Sequence, residues 1–195
     1  DGNYVLMAGA HRLTVAQELG WEVIKVTCWT CNDDFAHLME IDDNLAGAEL
    51  TALDTAVFLA ARKRVYEKLH PEARADAFRG NRHTGKLATD IMSFASSTAE
   101  KFGLSDRHVR RMVMAGENLG PDEVHQLRSA QKPIALKDLM EIGKIGNAAE
   151  RYHVVDRLAD GSARNAAAAR KVWKAEASGQ PQQVKDPVEE AFKGL

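Results

Sequence analysis

The stretch Ala95–Met114, ASSTAEKFGLSDRHVRRMVM, reads as two short helices joined by a tight turn. A helix-turn-helix needs a small residue where its helices meet, a glycine in the turn, and apolar residues that lock the second helix. Ala99 is small, Gly103 can supply the positive φ of a sharp turn, and Ser105 can cap the helix that follows. Leu104, Val109 and Met112 have the type and spacing of core-facing positions. Helical geometry then turns Ser105, Asp106, Arg107, Arg110 and Arg111 outward, with His108 beside them and placed to contact phosphate. In a DNA-binding helix-turn-helix these positions enter the major groove. There arginine bonds guanine through O6 and N7, or grips a phosphate with its bidentate fork. Double-stranded DNA is the partner this stretch points to.

The total charge hides this. The chain has 195 residues and a formal net charge of −2. By segment the net charge is −7 over residues 1–50, +5 over 51–115 and 0 over 116–195. Eight bases against three acids fall between Arg62 and Lys86, just before the helix-turn-helix. A local basic surface of this kind is the footprint of phosphate binding, and the stretch is expected to help hold a DNA backbone. A hydrophobic fraction of 45% excludes a wholly disordered chain. No run of apolar residues is long enough to span a membrane. Two cysteines are too few for a disulfide scaffold, which fits a reducing, cytoplasmic setting.

Working outward, everything after Leu50 has a helical pattern, opened by Thr51 and Asp54 as a capping box with Asp in the usual Glu position. The amino-terminal part differs. Tyr4–Gly9 and Glu22–Cys31 read as strands. His11–Leu19 reads as a helix stopped by Gly20, and Asp33 and Asp34 are placed to cap and start another. The expected class is α+β: a small α/β domain over residues 1–50, then connecting helices and a basic linker over 51–85. A helical DNA-binding domain over 86–177 follows, with the helix-turn-helix at 95–114, and a flexible tail over 178–195 ends the chain. The Gly-Asn turn at the start should follow another strand, so the first domain is expected to be partial.

Together these blocks resemble the ParB family of partition proteins, including its KorB-like members. Tyr4–Val26 is similar to the strand, nucleotide-motif loop, helix and strand of the ParB amino-terminal domain, whose fold is shared with sulfiredoxin. Ile41–Val57 is similar to the segment carrying the family's Glu-Asn motif, and Met92–Leu119 to its central helix-turn-helix. Pro121–Trp173 is similar to the helices that follow. The resemblance implies a homodimeric clamp on a specific DNA site, a ParA-like ATPase as partner, and CTP with Mg2+ as ligand. The family's Gly-Glu-Arg-Arg box is here Gly9-Ala10-His11-Arg12, and its Glu-Asn pair is Asp43-Asn44. The resemblance therefore assigns Gly9, His11, Arg12, Asp43 and Asn44 to the nucleotide. The family's following Gln-Arg is Ala46-Gly47, which removes a polar contact. Sulfiredoxin's Gly-Cys-His-Arg has its sulfur replaced by the Ala10 methyl group, so that redox chemistry is lost.

An enzymatic alternative stays open at this point: a metal-dependent nuclease or a CTP hydrolase. A nuclease needs converging carboxylates around a metal-activated water. Asp33, Asp34, Asp42 and Asp43 are close in sequence, but spacing does not show that they converge. The CxxC at Cys28–Cys31 lacks a second ligand pair, and His37 does not supply one. No catalytic residue and no metal site are assigned.

Overall fold

A computed structural model of the chain describes residues 4–47, 49–71 and 93–178. Among these residues every regular element is a helix, and the chain divides into two compact units, Asp1–Glu117 and Asn118–Leu195.

The first unit holds α1 (Ala10–Glu18), α2 (Asp33–Gly47), α3 (Ala52–Leu69), α4 (Phe94–Phe102) and α5 (Asp106–Glu117). The α3 helix is its organiser and packs against α2, α4 and α5. Thr51 caps it, accepting a hydrogen bond from the Asp54 amide at 3.1 Å and donating one to the Asp54 carboxylate at 2.7 Å. Leu38 and Ile41 of α2 pack with Val65 of α3, and Leu53, Ala56, Leu59 and Ala60 complete the buried face of α3. The start of α2 is held by Asn32, whose side chain accepts from the Phe35 amide at 2.8 Å, rather than by Asp33 or Asp34. Those two acids lie in the first turn of α2, where the helix dipole favours them.

The expected α+β class is corrected here. Tyr4–Gly9 and Glu22–Cys31 have the composition of strands, yet no strand or sheet forms among the described residues. A strand is stable only when its backbone groups pair along a ladder and one face is covered. Neither condition is met: Tyr4 is 91% exposed, Val23 84% and Trp29 62%. The ParB- and sulfiredoxin-like sheet domain is therefore absent from the described fold.

A buried ion pair joins three helices of this unit. Arg62 of α3 is only 3% exposed. Its Nε donates to Asp42 Oδ1 of α2 at 2.7 Å, and its Nη1 donates to Thr98 Oγ1 of α4 at 2.6 Å. Tyr66, Phe94 and Phe102 surround the guanidinium, with ring centroids 5.5–5.8 Å from it. Lys101 donates to the second Asp42 oxygen at 2.6 Å. Arg62 thus leaves the basic stretch proposed to hold DNA: its charge is spent inside the protein. Lys63 pairs with Glu117 and Lys68 with Asp34, whereas Arg64 is exposed. Arg74, Arg79, Arg82 and Lys86, with the linker Arg79–Gly85, lie outside the described residues.

The α3–α5 crossing depends on Gly116. A Cβ there would strike the Ala56 carbonyl group, its carbon at 2.6 Å, and approach the Ala60 Cβ at 3.0 Å. The two backbones meet where only glycine fits.

The second unit holds α6 (Pro121–Arg128), α7 (Leu136–Ile142), α8 (Ala148–Ala159) and α9 (Ala166–Ala177). Leu139, Ile142, Val154, Val155, Ala166 and Ala169 form its fully buried centre. Arg170 of α9 bridges Glu150 at 2.7 Å and Glu141 at 2.6 Å, tying α9 to α8 and α7. Arg151 of α8 pairs with Glu123 of α6 and also donates to the Asn118 and Ile142 carbonyls. The tail beyond Ser178 lies outside the described residues.

These ion pairs give two expected outcomes. Asp42→Ala leaves a buried guanidinium without its counter-charge and should destabilise the protein by about 3–5 kcal/mol in urea unfolding. Lys101→Ala, at a half-exposed position, should change stability by about 1 kcal/mol or less. The second outcome concerns pH. Burial works to raise the Glu123 pKa, but the hydrogen bonds from Arg151 and the Gly120 amide, with the Arg151 charge, outweigh it and hold the carboxyl below its ordinary value. The folded group therefore binds its proton less tightly than the unfolded one. Its stabilisation is complete above about pH 5 and is lost as pH falls through the folded value. Glu123→Gln should flatten this acid limb in thermal unfolding between about pH 6 and about pH 3.

Candidate nucleic-acid interface and amino-terminal cleft

The α4 and α5 helices are joined by Gly103, Leu104 and Ser105. Gly103 sits at φ 65°, and its amide donates to the Ala99 carbonyl, closing α4. The Ser105 hydroxyl accepts from the His108 amide at 3.2 Å and starts α5. Ala99, Val109 and Met112 are buried, and Leu104 is half-buried. Val113, Ala115 and Gly116 complete the inward face of α5.

The outward face holds the residues expected to meet DNA, but they divide by role. Ser105 is occupied as a cap. Asp106 accepts from Ser96 of α4 at 2.8 Å and lies 3.6 Å from the Arg110 guanidinium. Asp106 therefore ties the start of α5 to α4 and steadies Arg110. Arg107, Arg110 and Arg111 are exposed, and His108 is half-buried. The Arg110 side chain is 68% exposed. With Asp106 and Met114, the three arginines line an open depression of about 360 Å³. Met114 escaped the sequence reading because only its position on the 3.6-residue repeat, facing away from Met112 and Val113, marks it as outward.

A second depression, of about 370 Å³, lies between the start of α1 and the later turns of α2. Gly9, His11, Arg12, Asp43 and Asn44 all line it, joined by Glu40. Gly9 caps α1 at φ 86°, and the Arg12 guanidinium folds over it, its Nη2 3.0 Å from where a Cβ would stand. The first amides of α1 and a guanidinium thus share one wall, a combination suited to an anion. From α2, Asp43 and Glu40 contribute to the same lining. Glu40 is engaged with His37 at 3.3 Å, and the Asn44 amide donates to the Glu40 carbonyl at 2.9 Å. Oxygen donors of this kind suit Mg2+. The depression thus brings together one guanidinium, the first turn of α1 and two carboxylates.

The four aspartates considered for metal-dependent cleavage do not gather. Asp42 is committed to Arg62 and Lys101, and Asp34 to Lys68. Among the described residues no group of three or more His, Cys, Asp or Glu side chains is placed to hold a metal ion. Cys28 and Cys31 are exposed free thiols. Among the same residues no helix is long and apolar enough to cross a membrane. No protein-family model, no curated protein and no solved structure matches this chain.

Proposed function

We propose that this chain is a site-specific DNA-binding protein of the ParB-like kind, acting in the cytoplasm on plasmid or nucleoid DNA in partition or transcriptional control. One observation carries the reading: Arg107, Arg110 and Arg111 stand exposed on one face of α5, and the opposite face locks into the unit through Val109, Met112, Val113 and Gly116. A helix so held presents its guanidinium groups at fixed spacing, as base-edge and phosphate recognition in the major groove requires. The ParB-like reading brings with it a homodimer, a two-fold DNA site and a ParA-like ATPase partner. In the test, duplexes are selected from a random pool and Kd is measured against salt. Arg110→Ala with Arg111→Ala should weaken binding by about 30-fold or more and reduce the salt slope by about 1–2. Unchanged affinity and slope would refute the reading.

The cleft supports a second element, nucleotide control by CTP with Mg2+. The supporting observation is that residues more than 30 positions apart, Gly9–Arg12 and Asp43–Asn44, line one depression. Arg12 and the α1 amides would hold phosphate oxygens, and Asp43 would hold the magnesium. Calorimetric titration with CTP and Mg2+ should give heat in the parent protein and little or none in Arg12→Ala. No heat in the parent would remove this element and leave the DNA reading standing.

A further inference from the structure

Met114 is 47% exposed, although Met112, Val113, Ala115 and Gly116 around it are all buried. It stands seven residues after Arg107 and three or four after Arg111 and Arg110, so the four side chains form one stripe along about two turns of α5. A helical side chain of this length leans back over the preceding turn. That is why Met114 lines the same depression as the three arginines rather than extending past the helix end. The stripe is thus three cations followed by one soft, flexible thioether.

Resting on the DNA reading above, we propose that Met114 is a specificity-determining residue that contacts the 5-methyl group of a thymine in the major groove. Base edges in that groove present hydrogen-bond donors and acceptors, and one apolar group, the thymine methyl. Arginine is served by guanine and by phosphate. A thioether has no use for those partners and gains from removing a methyl group from water. Its place at the end of the stripe displaces that thymine from any base reached by the arginines nearer the helix start, so the two kinds of contact fall on separable positions of the site.

The test uses the duplex selected from the random pool. Each thymine is replaced in turn by deoxyuridine, which keeps the pairing edge and removes the methyl. For the parent protein, one replacement (or one per half of a symmetric site) should weaken binding about fourfold. Met114→Ala should bind the all-thymine duplex about fourfold more weakly and be indifferent to that replacement, whereas Met114→Leu should retain the parent's response. The inference is overturned if no replacement weakens the parent protein, or if the effect is undiminished in Met114→Ala. Circular dichroism of Met114→Ala should match the parent, since the change is at an exposed helical position. Failure of the DNA reading itself is distinct: no duplex is enriched, or binding ignores Arg110→Ala with Arg111→Ala.

Discussion

The first unit turns on a charge taken out of water. Arg62 lies in the middle of α3 with an acid of α2 on one side and a hydroxyl of α4 on the other, inside three aromatic rings. Burying a guanidinium is unfavourable unless its donors are met in good geometry. Asp42, Thr98 and the ring faces meet that requirement only when α2, α3 and α4 adopt one arrangement. Apolar contacts between the same helices would tolerate sliding; the directed hydrogen bonds of Arg62 do not. Fixing α4 also fixes the turn at Gly103, and with it the start of α5.

The glycine at the α3–α5 crossing sets the remaining degree of freedom. With no side chain at Gly116, the α5 backbone rests against Ala56 and Ala60. The two constraints act at different ends of α5: the turn and the Ser105 cap at its start, and the close backbone approach at its finish. Between them Val109, Met112 and Val113 fill the core. The exposed arginines therefore project from a helix held along its whole length.

What was legible in the sequence follows the range of the interactions concerned. The turn between α4 and α5 is local chemistry. Gly103, Ser105 and the apolar spacing of Val109 and Met112 carry it within fifteen residues, and the structure places each in the environment its type suggests. The expected strands do not form because a strand is not a local object. Tyr4–Gly9 and Glu22–Cys31 have the right residues, but a sheet needs partners that the pattern of one segment cannot supply. Arg62 looks like surface charge in the sequence because its partners lie 20 and 36 residues away. Gly116 left one trace, a glycine in a helix interior where alanine would be favoured by about 1 kcal/mol. The cleft residues were grouped by resemblance, in two clusters more than 30 residues apart, and the helical arrangement sets both beside one depression.

The separation of faces on α5 has a consequence for how this protein can change. Positions 109, 112, 113 and 116 are bound by packing, so substitution there is felt throughout the unit. Positions 107, 110, 111 and 114 are exposed, where substitution disturbs a scaffold far less than in the core. On the DNA reading proposed above, the helix is in this sense an interchangeable reading head. A paralogue, or a library randomised at those four sites, could address a different sequence while inheriting the same framework unaltered.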